Sequence, residues 1–389
     1  MFLFCSLPGH CSVSGCGGVA AYRSRQCIEP TTGGTTVADS QGLDRRKFLG
    51  RTALAGLGLT IVGSVETLLR PEIAGAAPGP FSGYGPLVPD PNGILALPVG
   101  FSYAVLSRSG DTELDDGSPV PSDPDANGVF GRTVVTNHEV GGNEPFGVPT
   151  VEGLTYDPGA RGGTTTTTVG LDGRRIGQYV SVAGTVNNCA GGETPWNTWL
   201  TCEETEARAG TGRFTRDHGY VFEVDPANQQ ANFGKSPVPL KFLGRYAHEA
   251  VAVDPASSAI YLTEDASAPN GLYYRWTPPA SFRGGPDALR TLAQSPGGDT
   301  AGTLAAMSCY EGDAHVPDLS KAIKPGTRYS VRWVPVPDRD ARSTPTRRQL
   351  TNDQITRSRK LEGQWWGDGG AYFTASYARI SDGSVEEHD

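Results

Sequence analysis

A short phrase recurs along this chain in altered wording: Val135-Thr136-Asn137-His138-Glu139, Leu200-Thr201-Cys202-Glu203-Glu204, Leu262-Thr263-Glu264-Asp265 and, more faintly, Phe373-Thr374-Ala375-Ser376. Each copy opens as an apolar strand, and the first three close on side chains that ligate metals. A repeated supersecondary unit carries equivalent positions to one place, so the pattern predicts carboxylates converging from several copies. The flanking text extends the unit. From Glu249 it reads Glu-Ala-Val-Ala-Val-Asp-Pro, a Ser-Ser turn, Ala-Ile-Tyr-Leu-Thr-Glu-Asp and, after a loop, Gly-Leu-Tyr-Tyr-Arg-Trp. Strand, turn, strand, loop, strand is the grammar of a β-propeller blade, whose inner strand ends point into a shared channel.

Composition agrees with strands and turns. The chain holds 52 glycines and 30 prolines, and no long stretch carries a 3.6-residue apolar period. Runs rich in β-formers fall at 101–106, 132–136, 164–171, 178–183, 198–202, 219–224, 249–253, 260–263, 272–276, 330–334 and 371–374, separated by turn residues. The expected class is therefore all-β. Segments 278–303 and 338–353 read as insertions between strands, with room for a short helix near Thr303–Met307. A net charge of −9 and the lack of a basic cluster exclude nucleic acid as a partner.

The N-terminus, residues 1–76, reads as an extension and export signal. Asp44-Arg45-Arg46-Lys47-Phe48-Leu49-Gly50 is a twin-arginine pattern, the apolar run Ala53 to Val62 follows, and Ala74-Gly75-Ala76 supplies a small-residue cleavage site. The run is too short to span a bilayer as a mature helix. The expected partner is the twin-arginine translocase, and the expected location periplasmic or secreted. The stretch ahead of Arg45 is foreign to such signals, which points to a start codon downstream of Met1 and removes Cys5, Cys11, Cys16 and Cys27 from the fold. Residues 77–389 are then one propeller domain.

The candidate ligands divide by hardness. Glu203, Glu204, Glu249, Glu264, Asp265 and Glu362 offer the hard oxygens that calcium takes, whereas a thiolate suits a transition metal. Glu139 closes the first phrase in the same way. Cys189 sits in the Gly-rich text Asn187-Asn188-Cys189-Ala190-Gly191-Gly192, read as a turn able to approach a metal closely. Cys202 is the alternative thiolate, and a Cys189–Cys202 disulfide is the bland alternative for an exported protein, with Cys309 left over. His138 and His248 each precede a glutamate, either as satisfied core histidines or as groups orienting Glu139 and Glu249.

Four stretches carry a family resemblance: Asn187–Gly192, Thr194-Pro195-Trp196-Asn197-Thr198-Trp199-Leu200-Thr201-Cys202-Glu203-Glu204, Arg245-Tyr246-Ala247-His248-Glu249-Ala250 and Tyr261–Asp265. Together they resemble the PhoX-type alkaline phosphatases from about Phe81 onward. The resemblance implies a β-propeller with an axial cluster of ferric iron (Fe3+) and calcium (Ca2+) bridged by an oxo group, and exported hydrolysis of small phosphate monoesters. It assigns catalytic roles to Glu249, Lys360 and Glu362. Two departures stand out. Lys360 occupies a position where the family pattern has arginine, and a point charge cannot clamp phosphate with a planar fork. The text also stops at Asp389, where the resemblance leads one to expect another blade, so the propeller is expected to be incomplete; a closed one would be monomeric. A calcium-dependent propeller hydrolase of lactonase or phytase type, and a non-catalytic propeller, are the alternatives.

Overall fold

Runs of β-branched and aromatic residues pair with their sequence neighbours here because the connections are short and rich in Gly, Asn and Asp. The computed structural model describes residues 3–6, 84–235, 237–322, 326–379 and 385–387. The twin-arginine pattern, its apolar run and the cleavage site lie outside them. Two units share the chain, Phe4–Ala104 and, with Met1–Leu3, Val105–Asp389. In the smaller, β1 (Leu3–Ser6) pairs with β4 (Ser102–Val105), and β2 (Leu87–Val88) with β3 (Leu97–Pro98). Asp90 closes the loop after β2, accepting from the Ile94 and Leu95 amides and the Tyr103 hydroxyl.

The larger unit is a succession of antiparallel sheets. β5 (Pro124–Phe130), β6 (Thr133–His138), β7 (Gly162–Val169) and β8 (Arg175–Thr185) form the first. β9 (Asn188–Glu193), β10 (Trp199–Glu203) and β11 (Val221–Val224) form the second. The third runs β12 (His248–Val253), β13 (Ile260–Glu264), β14 (Tyr273–Thr277), β15 (Thr303–Glu311) and β16 (Ala314–Val316), with β17 (Ser330–Pro335) on the other edge of β15. β18 (Leu361–Gly367) and β19 (Gly370–Ala375) make the fourth, and β20 (Tyr377–Arg379) pairs with β21 (Val385–Glu387). Among the described residues no ladder joins the last sheet to the first. Among the described residues the structure is thus nearly all-β, a chain of separate sheets with one short α-helix, α1 (Ala288–Gln294), inside the 278–303 insertion. The helix expected near Thr303–Met307 is instead the start of β15, held in register by β14 through Tyr274 opposite Ala306.

The first strands of the four sheets pack on one another in order, β5 on β9, β9 on β12 and β12 on β18. Glycine makes this approach possible. A Cβ on Gly192 of β9 would meet the Val251 carbonyl oxygen of β12 at 2.0 Å, and one on Gly128 of β5 would meet the Trp199 ring at 2.6 Å. Away from this centre, Leu200, Val221, Phe242, Leu262, Trp276 and Leu304 join the second and third sheets in the main hydrophobic core, each contributing about 1.5–3 kcal/mol by leaving water.

Each of these four first strands carries the same irregularity near its start. Pro124 pairs with His138 and Asn127 with Thr136, so Asp125 and Ala126 together face one residue of β6, a β-bulge. Equivalent bulges place Cys189 and Ala190 opposite the β10 segment between Thr201 and Glu203, Glu249 and Ala250 opposite β13, and Glu362 and Gly363 opposite β19. The residue feeding three of these strands lies in the left-handed region: Asp123 (φ 43°), Asn187 (φ 48°) and Lys360 (φ 43°).

Candidate metal centre

A bulge re-aims a side chain, and here it brings one donor per sheet to the same neighbourhood: Asp125, Cys189, Glu249 and Glu362. The recurring phrase adds a second set. Its last residues sit opposite the left-handed positions, where the Glu139 N–H donates to the Asp123 carbonyl (2.8 Å), that of Glu204 to Asn187 (2.9 Å) and that of Ser376 to Lys360 (3.0 Å). Because Glu264 pairs with His248 as Glu203 pairs with Asn188, the register puts Asp265 at the matching place in the third copy, and the faint fourth copy delivers a hydroxyl where the others deliver a carboxylate.

Ligand atoms of Asp125, Glu139 and Cys189 all lie within 4.8 Å of one another, and so do those of Cys189, Glu204 and Glu249. Cys189 belongs to both groups. Its thiol donates to Glu249 Oε2 at 3.1 Å and Oε1 at 3.3 Å. Asn137 fixes the strand that carries it: the side-chain amide donates to the Cys189 carbonyl (3.1 Å) and the Ala190 carbonyl (2.7 Å), while its oxygen accepts from Trp199 and Thr201. Thr263 ties the fourth sheet in by donating to the Glu362 carbonyl at 3.0 Å.

Like charges crowd this region. Burial first, then the charges of Asp265, Glu139 and Glu362, push the Glu204 carboxyl up to about 8, with Lys360 pulling the other way. Burial and the Glu204 charge raise Glu249 well above its ordinary value, and burial, then Asp125, raises Glu139. Asp125 is the most open of the set, yet loss of water around its carboxyl raises it too, with Glu362 adding to the effect. The Cys189 thiol is driven far up by burial, then by Glu249, Asp125 and Glu204. Such a ring holds protons at neutral pH until cations displace them.

The pleat separates the neighbours of these groups. Successive side chains point to opposite faces of a strand, so Glu203 turns away from Glu204. It accepts from the amides of Val186, Gly219 and Tyr220 and from His218 Nδ1 at 2.6 Å. His218 in turn meets Asp157 at 3.2 Å. Burial opposes ionisation of Asp157, but hydrogen bonds from Gly159, Thr215 and Arg216 outweigh it and hold the pKa down at about 2. Glu264 likewise turns away from Asp265. It accepts from Tyr274 (2.8 Å), the Leu272 amide (3.1 Å) and Arg347 (3.2 Å). Among the sequence-derived ligands, then, the structure brings together Glu139, Cys189, Glu204 and Glu249, with Asp265 and Glu362 near enough for their charges to act on Glu204, and Glu203 and Glu264 are carboxylates that tie loops down.

Cys202 is completely buried in the main hydrophobic core, so it is not brought to the ring. Both cysteines are free thiols, and no Cys189–Cys202 bridge exists. Cys189 stands in β9 and not in a turn, because the Gly-rich text forms the strand that must lie close to β12. His138 is a satisfied core histidine, donating from Nδ1 to Ser122 O (3.0 Å) and accepting at Nε2 from Thr165 (2.8 Å); burial takes its pKa down to about 4. His248 donates to Gly244 O and stacks on Tyr246. Neither orients the following glutamate. Lys360 does lie at the ring, its Nζ 3.9 Å from Glu362 Oε1. Asp125, Asn137 and Ser376 are the positions at this candidate site that sequence reasoning missed. A second recurring text marks the bulges: Pro124-Asp125-Ala126, Asn188-Cys189-Ala190, His248-Glu249-Ala250 and Leu361-Glu362-Gly363, a donor followed each time by a small residue.

The residues present suit metal. A thiol shared between two groups of carboxylates, Asp125 and Glu139 on one side and Glu204 and Glu249 on the other, offers both soft and hard donors.

Comparison with solved structures finds Pseudomonas fluorescens PhoX in complex with vanadate, a transition state analogue, at 16% identity and a TM-score of 0.49, covering 71% of this chain and 64% of that one. The chain thus spans less than two thirds of that protein's length. A glucose dehydrogenase follows at 14% identity and a TM-score of 0.29, covering 71% of this chain and 84% of that one. Among curated proteins, none matches. The family model of alkaline phosphatase PhoX matches residues 82–389. That span includes every bulge and every copy of the phrase, and the chain belongs to the alkaline phosphatase PhoX family.

Proposed function

We propose that this protein is an exported, metal-dependent phosphomonoesterase whose sheets are consecutive blades of a β-propeller and whose axial ring carries iron and calcium. The observation that carries the reading is the matched pair of donor sets: bulge residues Asp125, Cys189, Glu249 and Glu362, and phrase ends Glu139, Glu204 and Asp265, all reaching one place from separate sheets. When bound, the metals supply neutralisation of the non-bridging phosphoryl oxygens and a strong nucleophile at moderate pH. Cys189 and Glu249 would hold the softer ion, and the remaining carboxylates would hold calcium. Lys360, beside Glu362, meets the substrate phosphate as a point charge, which gives weaker orientation than a guanidinium fork. Export through the twin-arginine route fits a protein that folds and loads its metals first.

Metal analysis of the purified protein, with release of nitrophenol from nitrophenyl phosphate, tests this. Iron and calcium together with phosphate-ester hydrolysis are expected. Calcium alone, without that hydrolysis, replaces the reading by the calcium-dependent lactonase or phytase type.

A further inference from the structure

Three of the four phrase copies end in a carboxylate, and the fourth ends in Ser376 at the matching place. We infer that Ser376 is a positioning residue for the ring: its hydroxyl fixes one oxygen of Glu362 and thereby presents the other to a cation. This rests on the metal-centre reading given under Proposed function.

The Ser376 hydroxyl donates to Glu362 Oε1 at 2.6 Å. Lys360 Nζ lies 3.9 Å from the same oxygen. Both groups act on Oε1, so Oε2 is the oxygen left to serve the ring, where the Glu362 charge presses on Glu204, Glu249 and Asp125. The main chain of Glu362 is held separately, by Thr263 on its carbonyl. What remains to be set is the rotation of the carboxyl group, and a short hydroxyl bond to one of its oxygens sets it. Partners of this kind orient ligating carboxylates and keep them basic. The backbone role of Ser376 is distinct: its N–H donates to the Lys360 carbonyl and closes the β18–β19 hairpin. An alanine at this position keeps the backbone bond and removes only the hydroxyl.

The full-length protein, stripped by chelator, is titrated with calcium, and the reloaded protein is assayed with nitrophenyl phosphate. Ser376→Ala is expected to weaken calcium binding about 10-fold, to leave the melting temperature of the stripped protein within about 2 °C of the parent, and to be restored by Ser376→Thr. Parental calcium affinity in Ser376→Ala overturns the inference, and so does a fall in melting temperature of the stripped protein that Ser376→Thr shares. A parent protein that binds calcium without releasing nitrophenol overturns the phosphatase reading alone, and the binding ratio still decides Ser376. A parent that binds no calcium overturns both.

Discussion

The Cys189 thiol spans both carboxylate oxygens of Glu249, at 3.1 Å and 3.3 Å, across the junction of the second and third sheets. Both groups sit on bulges, so neither can be moved without disturbing the backbone that places it. Soft and hard donors are thereby held against each other before any cation arrives. Cys189→Ser keeps a donor of similar size but replaces sulfur by oxygen. The variant is expected to lose iron by about 10-fold or more per chain while keeping most of its calcium, as read by elemental analysis.

The pH dependence of the metal-free protein follows from Glu204. Its folded pKa of about 8 lies above the ordinary carboxylate value, so the folded chain keeps a proton that the unfolded chain has lost. That contribution is present below the unfolded value and disappears as pH rises through about 8. Stability of the chelated protein should therefore fall from the ordinary carboxylate value of 4.5 up to about 8 and level off above it, and Glu204→Gln should flatten this limb. Calcium should reverse the ranking of the two proteins. Thermal melts with and without calcium across that range provide the check.

Glu203 and Glu264 should behave differently from the ring. Each is a buried carboxylate tied to a buried cation or imidazole. Neutralising one partner leaves the other uncompensated, so Glu203→Gln and Glu264→Gln should each cost about 3 kcal/mol. Metal content per folded chain should stay near that of the parent. Denaturant melts paired with elemental analysis separate the two effects, and loss of metal at unchanged stability would return these residues to the ligand set.

Asn137 bonds simultaneously to both carbonyls of the Cys189 bulge and to Trp199 and Thr201. Its truncation to alanine leaves several buried groups unpaired and should destabilise the protein by about 2 kcal/mol. Because the bulge also loses its anchor, iron content should fall in Asn137→Ala while it does not in Glu203→Gln.

Most outer strands were legible in the sequence, since Val-Phe-Glu-Val or Ile-Tyr-Leu-Thr has the composition of a half-buried pleat, whereas β15 and β16, after the 278–303 insertion, were not. Nor were three of the four innermost strands. β5 (Pro124–Phe130) and β9 (Asn188–Glu193) are rich in Gly, Asn and Asp, and β18 (Leu361–Gly367) carries Gly363 and Gly367, residues that read as loop. Those residues are there because the sheets touch at this place, as Gly192 against Val251 shows. The same blind spot hid Asp125. Glu203 and Glu264 read like their neighbours for another reason: tandem acids look equivalent in text, and only the pleat sends them to opposite faces.

The small residue behind each bulged donor gives the fold an unusual genetic sensitivity. Deleting Ala126, Ala190, Ala250 or Gly363 would remove the extra residue and restore an uninterrupted ladder, the more regular form of each sheet. It would leave the following strand in its present register and remove the local bend and twist that re-aim the donor side chain. A three-base deletion at any of these codons can thus yield a protein with tidier strands and no ring. At the centre of this molecule, regularity and ligation are mutually exclusive.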